Sequence, residues 1–171
     1  GRRAAEIIGR ETRRLGQLVE NVLYFHRHDR LPSADTMELV DLAALVRDVV
    51  ESFKPLAASR QVQIVCHAAT TELVARGSSD GLRQVLLNLL DNAVKFSPQG
   101  GTVTVGARRT GNVVEVTVED EGVGIPQSEQ ERIFRKFYRG GDVPSGTGLG
   151  LFIAQGLVAA MGGHITVQSE E

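Results

Sequence analysis

Several features that would assign a protein to a special class are scarce in this sequence. Its 171 residues include one cysteine, Cys66, so no disulfide can form within the chain, and no group of cysteine and histidine residues has zinc-site spacing. No apolar run approaches the roughly 20 residues that a membrane-spanning helix needs, and the charged first residues do not resemble a signal peptide. The formal net charge of −2 gives no electrostatic reason to expect a nucleic acid partner.

What the chain does contain is a core and a helical attachment. Hydrophobic residues make up 42% and charged residues 23%, which is typical of a soluble globular domain. Apolar side chains in residues 1–30 recur at alternating steps of three and four, which predicts one long helix with a coiled-coil or bundle seam. Such a stripe needs a partner; we expect a second copy of the chain, and packing on its own domain is the alternative. Residues 31–40, with Pro32, predict a linker before a domain at 41–171. The stripe consists of Ala4, Ile8, Leu15, Leu18, Val22 and Phe25.

Helix and strand patterns alternate through the rest of the chain. N-cap residues precede the first two helices, and a capping box precedes a short one. A turn around Gly111 joins two strands into a hairpin, so the sheet is at least partly antiparallel. The pattern predicts a two-layer α/β sandwich with a mixed sheet, preceded by the long helix. The caps are Asp41, Ser78 or Ser79, and the Ser128–Glu131 pair. The expected helices are 41 to about 53 or slightly beyond, 80–96 and 149–161, and the expected strands are 62–66, 73–76, 101–109, 113–120 and 164–168.

The helix predicted at 80–96 has a polar line beside its apolar face. Asn88, Asn92 and Lys95 follow one another at i, i+4 and i+7, which places them on one side of the helix. The amide oxygens can ligate a hard cation such as Mg²⁺, and the lysine can neutralise phosphate oxygens. The line therefore suits a phosphate chain with its metal ion, although a solvated polar face is the plainer alternative.

A carboxylate, Asp120, ends the second hairpin strand. The alternating valines before it face the core, and the period of two puts Asp120 on the same side. A buried carboxylate needs hydrogen-bond donors, and the amino group of a nucleobase would be one. Gly122 and Gly124 let the backbone turn tightly and approach a flat ring. The alternative is a turn in which Asp120 accepts bonds from its own loop amides.

A glycine-rich loop at residues 146–151 leads directly into an apolar helix. Such a loop presents free backbone N–H groups to an anion. It is not a P-loop, because no Gly-Lys-Ser/Thr follows, and it is not a dinucleotide-binding fingerprint, because the opening strand is missing.

Together and in this order, these segments resemble the motifs of sensor histidine kinases. Residues 82–96, LRQVLLNLLDNAVKF, resemble the N box, and residues 120–124, DEGVG, the first glycine box. Residues 134–139, FRKFYR, resemble the F box, and residues 146–151, GTGLGL, the second glycine box. Residues 14–23 resemble the end of the second helix of the dimerisation and phosphotransfer domain. The resemblance covers essentially the whole chain.

The resemblance implies the ATP-binding sandwich shared with gyrases, large heat-shock chaperones and mismatch-repair ATPases, with ATP and Mg²⁺ as ligands. It implies that Asn92 ligates Mg²⁺ and that Asn88, Lys95 and Arg139 lie at the phosphates. Phe96 would pack near the nucleotide, and Asp120 would accept from the adenine amino group. The remaining implied site residues shape the pocket and its lid; they are Gly122, Gly124, Gly146, Thr147, Gly148, Leu149 and Gly150.

The implied activity is transfer of the γ-phosphoryl group of ATP to a histidine of the dimerisation domain, for relay to an aspartate of a response regulator. The implied assembly is a homodimer through the N-terminal helix, in the cytoplasm, within a parent protein that in most of the family crosses the membrane. Asn88 replaces the water-activating glutamate of the chaperone-type ATPases and cannot act as a general base. The alternatives are an ATP hydrolase of that type and a nucleotide-binding regulatory module.

The sequence departs from the family pattern in three places. None of its four histidines stands in the phosphoacceptor box His-Glu/Asp-x-x-x-Pro, so we expect a fragment without the first dimerisation helix. The lid between Arg139 and Gly146 is short, and the family usually adds one more strand after Glu171.

Overall fold

The computed structural model describes residues 32–68, 71–140 and 147–170, and the helix predicted over 1–30 lies outside them. Five strands and four α-helices follow a 3-10 turn at Ala34–Thr36 in this part of the chain. The strands are β1 (Glu38–Asp41), β2 (Gln63–Ala68), β3 (Val74–Gly77), β4 (Thr102–Thr110) and β5 (Val113–Glu119). The helices are α1 (Leu42–Ser59), α2 (Ser79–Phe96), α3 (Gln127–Gln130) and α4 (Gly150–Ala160).

The sheet is mixed, as the hairpin predicted. β4 lies between β2, its parallel neighbour, and β5, its antiparallel neighbour. The β4–β5 loop contains Gly111 at φ +60°, a left-handed conformation in which glycine meets no Cβ clash. β1 and β3 form a separate antiparallel pair.

β1 corrects the predicted boundary of the domain, because residues 38–40 had been assigned to the linker. Glu38 pairs with Gly77 and Asp41 with Val74, so this segment belongs to the fold. A four-residue strand with one fully buried side chain gives too short an alternation to be separated from a linker by pattern alone.

Asp41 joins β1, α1 and the start of β3. Its Oδ1 accepts from the backbone N of Ala43 at 3.0 Å and of Ala44 at 3.3 Å, which confirms the predicted N-cap. The same oxygen accepts from the N of Leu73 at 3.1 Å. The bond from Leu73 is the largest cause that lowers the pKa of Asp41, and the two helix amides lower it further.

The helices cover one face of the sheet in a two-layer arrangement. Buried residues of α1 and α2 pack on the inward side chains of β2 and β4 and on the valines of β5. A second, smaller cluster joins α2 to α4 through Val85, Ile153 and Leu157. The two helices run antiparallel, since Gly150 at the start of α4 lies beside Asn88 and Met161 at its end lies beside Ser78.

Three predicted details differ from the structure. α1 continues to Ser59, further than the predicted end at about 53 or slightly beyond, because Ala57 extends its buried face by one turn. α3 begins after Pro126 with no side-chain cap, so the predicted capping box of Ser128 with Glu131 is wrong. Residues 164–168 alternate in exposure like a strand but form no ladder with any described strand; Ser169 instead accepts from the N of Ile125 through its Oγ at 2.8 Å.

Candidate functional site

The polar line of α2 is the centre of the candidate site. The helix is continuous from Ser79 to Phe96, so Asn88, Asn92 and Lys95 lie on one side of it, and all three are half-buried. The side chains of Leu90 and Val94 are buried on its opposite side. A polar line that is half-buried beside a core is partly shielded from water, which strengthens its interaction with a charged ligand.

Lys95 carries a charge that its surroundings do not favour. Burial is the main cause that lowers its pKa below the usual value; the carboxylate of Asp91 raises it, and the positive charges of Arg139 and Arg60 lower it again. The Lys95 Nζ lies 4.7 Å from the centre of the Phe96 ring, a cation–π distance. Positive charges gathered around a half-buried ammonium group favour an anion at this end of α2.

The Asp120 turn packs against the same end of the helix. A Cβ placed on Gly122 would lie 2.6 Å from the Oδ1 of Asp120 and 3.0 Å from the carbonyl O of Phe96. Only glycine allows this approach without a shift of the chain. Gly124 follows at φ +76°, so the turn needs glycine twice.

The environment predicted for Asp120 was wrong, since its side chain is exposed rather than buried in the core. β5 ends one residue earlier, at Glu119, and Asp120 Oδ1 accepts from the N of Gly122 at 2.8 Å. The local turn that sequence analysis left as the alternative is thus formed. Its Oδ2 accepts no hydrogen bond from the described residues, so that oxygen is available to a donor from outside the chain. Phe96, which the resemblance places near the nucleotide, is 38% exposed beside it.

The start of α4 meets the other end of the polar line. A Cβ on Gly150 would lie 3.8 Å from Cβ, Cγ and Oδ1 of Asn88. No side chain caps α4, and the N of Leu149 donates to the Oγ1 of Thr147 at 3.3 Å. The first-turn amides of α4 therefore have no intrahelical acceptor, and such amides can bind an anion.

Gly148 fixes this loop against the segment predicted as the F box. Its φ is +67°, and a Cβ there would lie 2.7 Å from the carbonyl carbon of Phe137 and from the carbonyl O of Tyr138. The N of Phe137 donates to the carbonyl O of Gly148 at 2.9 Å. This contact brings Arg139, two residues later, to the side of the site where its charge acts on Lys95.

The structure therefore brings together all but one of the predicted site residues. Gly146 lies outside the described residues, as do its neighbours 141–145. Sequence analysis missed Gln84, whose Nε2 donates to the Oδ1 of Asn88 at 3.2 Å. Its position one turn before Asn88 was a usable signal. It also missed Arg60, at the end of α1, and no local pattern could have placed that charge near Lys95.

The donor set fits Mg²⁺ only in company with phosphate. No group of three or more His, Cys, Asp or Glu residues converges within the described ranges, so the protein alone offers no carboxylate cage. Asn92 can supply an amide oxygen, and phosphate oxygens would complete the shell of a hard cation.

No helix in the described part of the chain is long and apolar enough to cross a membrane.

Comparisons with known proteins show which proteins this chain is similar to. Residues 77–171 match the family described as histidine kinase-, DNA gyrase B-, and HSP90-like ATPase. The sensor histidine kinase RppB of Synechocystis is 34% identical over an alignment of 166 positions that covers 95% of this chain and 37% of that protein. The sensor-like histidine kinase SenX3 of Mycobacterium tuberculosis is 33% identical over an alignment of 173 positions that covers 99% of this chain and 42% of that protein.

Among solved structures, full-length ShkA in complex with AMPPNP is 32% identical with a TM-score of 0.71, over 91% of this chain and 34% of that one. The chain thus spans less than half the length of the curated relatives RppB and SenX3.

Proposed function

The chain belongs to the family of histidine kinase-, DNA gyrase B- and HSP90-like ATPases, and from that premise we propose that it binds Mg²⁺·ATP as the catalytic part of a sensor histidine kinase. One observation carries the proposal. The Asp120 turn, the polar line of α2 and the uncapped start of α4 meet along a single helix, with Gly122 against Phe96 and Gly150 against Asn88.

The order of these groups matches the order of groups in ATP. In this proposal the adenine lies beside Asp120, whose Oδ2 accepts from the exocyclic amino group, and Phe96 contacts the ring. The phosphates lie between Lys95, Arg139 and the first-turn amides of α4, where the positive charges and amide dipoles concentrate. Asn92 supplies an amide oxygen to Mg²⁺, which when bound offsets phosphate charge.

The absence of a base at Asn88 favours phosphoryl transfer over hydrolysis. An amide cannot take a proton from water, so bound ATP persists until another nucleophile arrives. In the proposed reaction an imidazole nitrogen attacks the γ-phosphorus, the bond to the β,γ-bridging oxygen breaks, and ADP leaves with the electron pair. That histidine belongs to the dimerisation domain of the parent homodimer, and a response-regulator aspartate then receives the phosphoryl group.

Calorimetric titration of the chain with ATP, with and without Mg²⁺, tests the proposal. We expect binding that strengthens when Mg²⁺ is present, and a phosphate-release assay that stays near background. No binding of Mg²⁺·ATP would refute the proposal. Rapid turnover of bound ATP to free phosphate would instead support a hydrolase of the chaperone type.

A further inference from the structure

Gln84 and Asn88 of α2 form a hydrogen-bonded pair of carboxamides in which one polar atom of Asn88 has a partner and the other has none. The Nε2 of Gln84 donates to the Oδ1 of Asn88 at 3.2 Å, so the oxygen end of Asn88 is engaged within the helix. The nitrogen end, Nδ2, is buried and has no hydrogen-bond partner in the part of the chain that the structure describes. A buried N–H₂ group without an acceptor is unfavourable, and it indicates that an acceptor from outside the protein belongs there.

The surroundings of Asn88 indicate the charge of that acceptor. The Asn88 side chain lies at the first turn of α4, with its Cβ, Cγ and Oδ1 each 3.8 Å from a Cβ placed on Gly150. The amide groups of this turn and the positive end of the helix dipole favour an anion. Phosphate oxygens are negative acceptors, and they suit an amide donor and backbone N–H groups at the same time.

We propose that Gln84 is a positioning residue that holds Asn88 by its oxygen and thereby turns its amide nitrogen toward the phosphates of the nucleotide. This inference rests on the proposed function, because it requires a nucleotide in the site. It assigns different roles to Asn88 and Asn92. Asn88 donates to phosphate, and Asn92 is left to give its oxygen to the metal ion, since a cation is ligated by an oxygen and not by an amide N–H.

The alternative is an ordinary i, i+4 pair on a helix surface. Such a pair contributes slightly to the stability of the helix and nothing to ligand binding. The two interpretations therefore differ in nucleotide affinity and not in thermal stability.

Two substitutions at Gln84 change its hydrogen bonding in different ways. Gln84→Met keeps the length of the side chain and removes both polar atoms, so Asn88 is free to rotate. Gln84→Glu offers only acceptors to Asn88 at neutral pH, so it attracts Nδ2 and leaves Oδ1 facing the site. Gln155, an exposed glutamine of α4, provides the matched controls Gln155→Met and Gln155→Glu.

Calorimetry of each variant with Mg²⁺·ATP and with adenosine measures the effect. We expect Gln84→Met to lower the affinity for Mg²⁺·ATP several-fold and Gln84→Glu to lower it about tenfold or more, because a hydrogen bond to a charged group is lost. Adenosine affinity and the melting temperature should stay close to the parent values, and the Gln155 variants should bind both ligands as the parent does.

A double-mutant cycle separates positioning from the added charge. In an Asn88→Ala background, Gln84→Met should have no further effect, since the residue that it positions is gone. An undiminished effect there would show that Gln84 does not act through Asn88. Binding of Mg²⁺·ATP by Gln84→Glu as tight as the parent's would show that Asn88 presents its oxygen instead. If the parent chain itself binds no Mg²⁺·ATP, it is the proposed function that fails.

Discussion

Replacing Lys95 with methionine should weaken nucleotide binding while leaving the stability of the empty domain nearly unchanged. The ammonium group is half-buried, and burial lowers its pKa more than any other cause. The carboxylate of Asp91 raises that pKa, and the charges of Arg139 and Arg60 lower it. Keeping this charge half-buried lowers the stability of the empty domain, and phosphate oxygens would offset that loss. The substitution removes the unfavourable burial of the charge together with its attraction for phosphate.

The expected magnitudes follow from these contacts. A hydrogen bond to a charged group contributes about 1.5–3 kcal/mol, so losing it should lower the affinity for Mg²⁺·ATP by roughly 10- to 150-fold. The cation–π contact with Phe96, at 4.7 Å, is lost as well. That loss should lower the free energy of unfolding by about 0.5–1 kcal/mol. The substitution also removes a half-buried charge and its repulsion from Arg139 and Arg60, which should raise the free energy of unfolding. We expect the melting temperature to move by no more than a few °C, in either direction.

Calorimetry with ATP and with adenosine, combined with thermal unfolding, checks this prediction. Lys54→Met is the control, because it removes an equal charge from an exposed pair with Glu51 on α1. Loss of ATP affinity with adenosine affinity retained is the expected outcome for Lys95→Met. Unchanged ATP affinity, or an equal loss for adenosine, would refute the assignment of Lys95 to the phosphates.

The lowered pKa of Lys95 has a consequence for the pH dependence of nucleotide binding. Phosphate binding requires the charged lysine, and its pKa in the folded protein lies below the usual 10.5. Affinity should therefore begin to fall at a lower pH than for an exposed lysine, and Lys95→Arg should keep its affinity over that range because arginine stays charged.

Three further predictions concern the turn, the loop and the first helix. Asp120→Ala should cost about 1–3 kcal/mol of ATP affinity, which titration calorimetry measures; equal affinity would overturn the adenine assignment. Gly148→Ala should lower stability by about 1–3 kcal/mol, because it forces a side chain into a left-handed residue against backbone, whereas Gly156→Ala, in open space within α4, should not lower the melting temperature. Asp41 has a lowered pKa in the folded state, so its contribution to stability is present above the usual value of 3.8 and is lost as the pH falls through the lowered one. Asp41→Asn should therefore flatten the acid limb of melting temperature against pH, and an unchanged limb would contradict this.

The elements that the sequence predicted well are those whose signal is local and repeated. The caps at Asp41 and Ser78 both form, and α2 runs almost as its apolar spacing predicted. The polar line of α2 needed only helical geometry to be recognised. Gln84 belonged to the same line and could have been found by extending the spacing one turn backward.

The features that the sequence could not predict depend on contacts between distant segments. The alternation of β5 predicted that the Asp120 side chain faces the core. β5 ends before this residue, however, and the carboxylate accepts a hydrogen bond from the backbone N of Gly122. Residues 164–168 have strand periodicity but pair with none of the strands in the described ranges, and a ladder needs a partner strand as well as the periodicity. Arg60 acts on Lys95 only because the chain folds α1 and α2 together, since 35 positions separate the two residues in sequence.

A crystal structure of the chain with Mg²⁺ and a non-hydrolysable ATP analogue tests the central claim most directly. The account predicts adenine against Asp120 and Phe96, and phosphates between Lys95, Arg139 and the first turn of α4. The metal ion should contact the Asn92 oxygen. An analogue bound instead in the groove that Phe152, Gln155 and Ile165 line, or with its phosphates turned toward Asp120, would contradict it.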